Sequence, residues 1–286
     1  MGRTDLVDPR NRVVLVTGGS AGIGRATVLR LSAAGVRVVT CARNGERLDE
    51  AVGGLAGVTG VVADVADAAD RARLVEAVLE EHGRLDAVVH NAGLGWAGLL
   101  EDTPGEAVEG IVALNLTGVI ELTRLALPHL LAAATAHGRA DVVAVSSVAA
   151  WAQVPPLTVY SATKAGLDGF LKGLRREVSA RGIRVHSVNP FFVSTEWLAR
   201  GHGSPPRDDA DAAGRLSRGI RPERVAEQIA GCLSSPRSRT VAVPRWAGLA
   251  RLGEVTPVNR LLDAVLSRST GRLRSLAARA VAKRTE

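Results

Sequence analysis

Apolar positions along the first two-thirds of the chain fall into short, nearly unbroken runs, separated by longer stretches with helical spacing. The runs at 13–17, 36–42, 58–63, 85–90, 140–147 and 183–189 are short and β-branched, and all but the last are nearly all apolar. Such strands suit a parallel sheet buried on both faces. Helical spacing follows the first strand to about Ala34 and recurs over 67–81, 106–136 and 158–180. Pro128 is expected to kink the third of these helices. The alternation predicts an α/β fold, a doubly wound parallel sheet with right-handed crossovers. Past Phe191 the pattern loosens, and 201–219 reads as a loop rich in glycine, proline and aspartate. A helix over 222–233 and a strand over 240–243 complete the sheet. Residues 1–256 are thus expected to form one domain. Residues 257–286 form an extension in which Leu261, Leu262, Val265 and Leu266 make an apolar stripe between arginines.

Length and composition narrow this picture. A chain of 286 residues, 46% hydrophobic and 23% charged, has the core of a soluble globular protein. No apolar run approaches the ~18 residues that would cross a bilayer. The segment Met1 to Arg12 is polar, so a secretory signal is not expected, and Leu6 stands where myristoylation wants Ser or Thr. Cys41 and Cys232 share no metal or redox spacing and read as buried thiols in a reducing cytoplasm. The net charge of +7 is uneven: residues 258–286 hold seven basic and two acidic residues, a net of +5. A basic tail rather than a basic domain gives no reason to expect nucleic-acid binding.

Directly after the first strand comes Thr17-Gly18-Gly19-Ser20-Ala21-Gly22-Ile23-Gly24. Glycines between a strand and a helix let a pyrophosphate approach backbone N–H groups at the helix N-terminus, so a dinucleotide site is expected. The second strand ends Thr40-Cys41-Ala42-Arg43. An acid there would hold ribose hydroxyls, whereas Arg43 suits a 2′-phosphate and favours NADP(H) over NAD(H). The alternative is that Arg43 stacks on adenine or lies in solvent.

Tyr160 is the chain's one tyrosine, and it stands four residues before Lys164, one of three lysines in an arginine-rich chain. On a helix the two share a face. A phenol near pKa ~10 exchanges protons poorly at neutral pH unless a cation stabilises its phenolate. An ordinary helical pair is the competing reading.

In order, the glycine turn, Asn91-Ala92-Gly93 after the fourth strand, Ser147 after the fifth and the Tyr160–Lys164 pair resemble the short-chain dehydrogenase/reductase family over residues 11–195. The resemblance implies a single-domain Rossmann fold passing hydride between NAD(P) and a carbonyl or alcohol. It makes Tyr160 the general acid/base, and Lys164 the residue that binds the nicotinamide ribose and lowers the phenol's pKa. Ser147 would hydrogen-bond the substrate oxygen, with Ser146 its competitor, and Asn115 would hold a relay water unless it bonds its own helix. Asp64 and Val65 would meet adenine. Asn91, Ala92 and Gly93 would line the cofactor channel, and Pro190, Val193 and Thr195 would meet the carboxamide. Three positions depart from the pattern. His90 replaces a second asparagine and is expected to be structural, Phe191 replaces a glycine, and Ala21 leaves Arg43 as the main phosphate contact.

Six of the eight aromatics, Trp96, Trp151, Tyr160, Phe191, Phe192 and Trp197, fall on segments that the resemblance places near the site. An apolar substrate cleft is the favoured expectation; the alternative has Trp151 sealing a subunit contact and Trp197 anchoring a loop. The reading is therefore an NADP(H)-dependent carbonyl reductase or alcohol dehydrogenase acting on a small hydrophobic substrate. Alternatives are a non-catalytic dinucleotide-binding regulator, an epimerase or dehydratase, and a peripheral-membrane dehydrogenase of lipid-like substrates. The tail is expected to dock on the protein and leave a homodimer, with an anionic membrane as the other partner.

Overall fold

The computed structural model describes residues 11–194, 219–255, 258–260 and 263. Seven strands, β1 (Val13–Thr17), β2 (Arg37–Ala42), β3 (Val58–Val62), β4 (Ala87–His90), β5 (Ala140–Val145), β6 (Ile183–Pro190) and β7 (Thr240–Val243), form one sheet in the order 3-2-1-4-5-6-7. Every pairing is parallel, as the unalternated apolar runs predict. The strand order reverses between β1 and β4, which opens a crevice at the carboxyl ends of the strands.

The two-residue period of β1 divides the core. Val13 and Leu15 face one side, with Leu74 of α3 (Ala68–His82), Leu122 and Leu130 of α5 (Gly118–His137) and Leu167 of α7 (Thr158–Val178). Val14 and Val16 face the other, with Val28 of α1 (Gly22–Ala33), Leu48 of α2 (Gly45–Val52) and Ile229 of α8 (Pro222–Leu233). Both faces of the sheet are covered by helices.

Two expectations need correction. The helix expected over 106–136 is interrupted, but not by Pro128, which lies inside α5. The break is a π-helical turn, Ala113–Thr117, between α4 (Gly105–Val112) and α5. It falls on Asn115. The stretch Gly105–His137 is also long and apolar enough to cross a bilayer by length and composition, although no such run was expected. Here it is a core helix, with Leu122, Ala126 and Leu130 fully buried. The expected loop and most of the basic extension over 257–286, with the homodimer argued from it, lie outside the described residues.

At the opposite end of the sheet from the crevice, Asp141 on β5 is fully buried among two arginines and a neutral histidine gathered from three parts of the chain. Its carboxylate accepts from Arg12 at 2.6 Å, Arg139 at 2.8 and 2.9 Å, and His186 Nε2 at 3.0 Å. His186 Nδ1 accepts the Arg239 amide N–H, so Nε2 carries the ring proton. Burial alone would raise the Asp141 pKa, but the His186 and Arg139 hydrogen bonds and the Arg12 charge bring it down to about 2. The stabilisation is complete above the unfolded carboxylate pKa of ~3.9 and is lost as pH falls toward 2. Asp141→Ala strands buried arginines and is expected to cost about 3–5 kcal/mol at pH 7, read from urea midpoints. That difference should shrink on approaching pH 2.

Candidate active site

The crevice is a cleft of about 1080 Å³ lined by the β1–α1 turn, the ends of β2 and β3, the segments after β4 and β5, α7 and the end of β6. Gly18, Ser20, Gly22 and Ile23 form one wall. Gly18 has φ +76°, and a Cβ there would sit 3.0 Å from Asn91 Nδ2. Gly24 lies behind the wall, where a Cβ would collide with the Gly18 carbonyl. The turn closes only with glycine at these points, which leaves its backbone open to the cleft.

Asn91 anchors the turn to β4: its Nδ2 donates to the carbonyls of Thr17 at 2.9 Å and Gly18 at 3.2 Å. Ala92, Gly93, Pro190 and Val193 line the cleft beyond it. Thr195 lies outside the described residues. His90 is buried and is not part of the cleft lining. Its Nε2 meets Thr123 Oγ1 at 2.8 Å, and burial pushes its pKa down to about 3.

Tyr160 and Lys164, on one face of α7, line the floor of the cleft with Ser146 and Ser147. The Lys164 ammonium is 5.7 Å from the Tyr160 ring centroid and donates to the Val145 carbonyl at 3.0 Å. Burial drives the Tyr160 phenol up to about 12, against a lowering hydrogen bond with Ser147. Burial also brings Lys164 down to about 8, against the raising charge of Asp168. Ser147 Oγ accepts the Ala149 amide at 3.1 Å, whereas Ser146 Oγ is turned to the Lys164 carbonyl at 3.4 Å. The hydroxyl paired with the phenol is that of Ser147.

Asn115 does not bond its own helix. Its amide accepts from the Leu94 N–H at 2.9 Å and donates to the Leu94 carbonyl at 2.8 Å and to Thr163 Oγ1 at 3.2 Å. The π turn aims it across at the segment after β4 and ties that segment to the residue before Lys164. Both side-chain amide protons are used, so on this side chain a relay water could reach only the second lone pair of Oδ1.

At the far end, Arg43, Asp64 and Val65 line the cleft as expected. The Arg43 side chain is 60% exposed and only 3.9 Å from Asp64, a loose pair that leaves it available to an anion. Arg25 and Arg47 also line this end and were missed. Their positions at helix starts gave no signal that sets them apart from the chain's many other arginines.

The sequence matches the family model for short chain dehydrogenases over residues 12–202. The chain belongs to the short chain dehydrogenase family. It is 32% identical to the 3-oxoacyl-[acyl-carrier-protein] reductase FabG of Thermotoga maritima, over 76% of this chain and 88% of that protein. It is 32% identical to the Mycobacterium tuberculosis protein named "Probable oxidoreductase EphD" over 92% of this chain, but spans only 45% of that longer protein. The 3-ketoacyl-(acyl-carrier-protein) reductase of Brucella melitensis, solved with NADH, superposes with a TM-score of 0.72. That structure is 27% identical and covers 81% of this chain and 96% of its own.

Further along the cleft, Phe191 and Phe192 line it, and Val154 and Leu157 join them. Phe191 needs no glycine-like backbone, since Gln153 alone among described non-glycine residues has a positive φ. Two expected substrate residues are misplaced. Trp151 is buried away from the cleft, where its indole N–H donates to Asp168 at 2.7 Å and the Arg251 guanidinium stacks on its ring at 4.3 Å. Trp96 is also buried and lines no part of the cleft. Trp197 lies outside the described residues. Trp246, expected elsewhere, packs on Phe191 with ring centroids 5.7 Å apart.

Asp168 is a buried carboxylate one helical turn past Lys164, held by the Trp151 indole and by the Ser187 hydroxyl at 2.9 Å. Its charge opposes the desolvation of Lys164. Asp168→Asn is expected to lower the lysine's pKa further, moving the alkaline limb of the kcat/KM profile to lower pH. Trp151→Phe, which removes one hydrogen bond and no charge, should leave that limb nearly in place.

Proposed function

We propose that this chain is an NADP(H)-dependent dehydrogenase that interconverts a carbonyl and an alcohol on an apolar substrate. The observation that carries the reading is the Ser147–Tyr160 hydrogen bond above a buried Lys164, at the point where an apolar cleft meets the glycine turn. Gly18, Ser20, Gly22 and Ile23 would hold the pyrophosphate, Asp64 and Val65 the adenine, and Arg43 with Arg47 a 2′-phosphate. Asn91, Ala92, Gly93, Pro190 and Val193 would border the nicotinamide end. Bound there, the nicotinamide supplies or accepts the hydride.

The chain's own residues handle the proton. In reduction, Ser147 Oγ donates to the substrate oxygen and orients it, and the Tyr160 Oη–H passes its proton to that oxygen as negative charge develops there. The Lys164 ammonium, charged below about 8, then stabilises the phenolate left behind. Asn115 holds the Leu94 segment and α7 in register, so that lysine and cofactor channel keep their spacing. Phe191, Phe192, Val154 and Leu157 exclude water from the reacting carbon.

The test is NADPH consumption, followed by absorbance, against aromatic ketones, quinones, steroids and 3-oxoacyl thioesters. The last class is suggested by the names of the reductase relatives. Turnover of at least one apolar class is expected. Tight NADPH binding with no turnover of any class would instead favour a non-catalytic dinucleotide sensor.

A further inference from the structure

After β7 the chain enters a 3₁₀ segment, Arg245–Glu254. With three residues per turn, side chains three apart eclipse along one edge. One edge faces inward: Ala247 is buried on Trp151 and Val148, Ala250 packs against the same cluster, and Gly253 is buried. The next edge carries Trp246, Leu249 and Leu252, exposed by 62, 67 and 54%, and Val255 and Val258 continue the same spacing, also exposed. At its near end the row meets Phe191, itself 54% exposed and part of the cleft wall. Trp246, Leu249 and Leu252 therefore form a ridge of large apolar side chains along this edge, which starts at the Phe191 contact. Contiguous exposed apolar surface of this kind marks a contact site.

Charge decides among the occupants. Arg245 and Arg260, at the two ends of this stretch of sequence, are both exposed. A second copy laid ridge to ridge would set these cations against their own equivalents. The ridge is also one side chain wide and, at roughly 2 Å rise per residue, about 20 Å long. That is too narrow for the ~800 Å² face of a stable dimer. Apolar side chains flanked by cations match an anionic lipid surface.

We propose that this ridge is a lipid-contact edge, which seats Trp246, Leu249 and Leu252 at the headgroup–acyl boundary and holds the cleft mouth at Phe191 against the bilayer. An apolar carbonyl substrate then passes from lipid to cleft without crossing water. This route rests on the proposed function; the lipid contact itself does not.

Co-sedimentation of the full chain with phosphatidylglycerol–phosphatidylcholine vesicles tests the contact. The wild type is expected to bind at least tenfold more tightly to these than to pure phosphatidylcholine, with binding weakened by salt. The double variant Leu249→Glu/Leu252→Glu should lose at least tenfold of that binding. It should keep its thermal midpoint and its turnover of a water-soluble diketone with NADPH. Wild-type sedimentation by the variant overturns the proposal, as does failure of the wild type to sediment. A concentration-dependent increase in mass that the variant abolishes also overturns it, by making the ridge a self-contact. Loss of diketone turnover by the wild type itself counts against the catalytic reading and leaves the sedimentation result standing.

Discussion

Tyr160→Phe is expected to lower kcat by about 10²–10⁴-fold, the usual range for loss of a positioned proton donor, while changing NADPH affinity by less than about threefold. The substitution removes one oxygen and keeps the ring, which is buried in the cleft floor. The glycine turn is held by glycine geometry and the Asn91 anchor, neither of which the substitution alters, so the dinucleotide pocket should persist. Lys164→Ala should behave differently. The ammonium sits beside the tyrosine ring and also reaches the Val145 carbonyl at the end of β5. Losing it should weaken cofactor binding and turnover together. Steady-state kinetics for kcat, with tryptophan fluorescence for cofactor affinity, separate the two patterns. Equal losses of affinity in both variants would remove the division of roles between proton donor and cation.

Arg43→Ala is expected to cut NADP(H) affinity by about ten- to a hundredfold and leave NAD(H) affinity nearly unchanged. A charge-assisted contact to phosphate contributes roughly 1.5–3 kcal/mol, which is that range in affinity. Little should be lost in freeing the arginine, because its 3.9 Å pairing with Asp64 is loose and exposed. Arg25 and Arg47 line the same end, so some NADP(H) preference should survive the single change and fall further in Arg43→Ala/Arg47→Ala. The similar reductase of Brucella melitensis was solved with NADH, so the preference has to be measured in this chain. Equal use of both cofactors by the unaltered chain would remove the assignment.

The sheet was legible because strands covered on both faces are mostly apolar, and β1, β2, β4 and β5 meet that with valine-rich runs, whereas β6 carries Arg184, His186, Ser187 and Asn189 between its apolar residues. The glycine turn and the Tyr160–Lys164 pair were legible because each ties a residue type to a fixed spacing. The π turn at Asn115 was not, since one extra residue per turn leaves no mark on a leucine-rich helix. Direction was also hidden. Trp151 sits three residues from Val154, which lines the cleft, but the short helix Ala149–Ala152 turns the tryptophan inward to Asp168. Arg12 and His186 lie far in sequence from the Arg139–Asp141 pair and reach it only once the sheet is assembled, so nothing local announced that buried cluster. The exposed edge of Arg245–Glu254 was overlooked because its spacing of three matches neither a strand nor an α-helix.

Tyr160 is the only phenol in the chain, so its ionisation can be followed by ultraviolet difference absorbance with nothing else altered. In the chain alone, burial holds the phenol at about 12, and no phenolate signal is expected up to pH 10. With saturating NADP⁺, the cofactor's positive ring should draw the transition down by at least two pH units. A phenolate signal that develops below pH 10 only in the complex is the result that proton transfer through Tyr160 predicts. A phenol that stays protonated to pH 10 with NADP⁺ bound would contradict it.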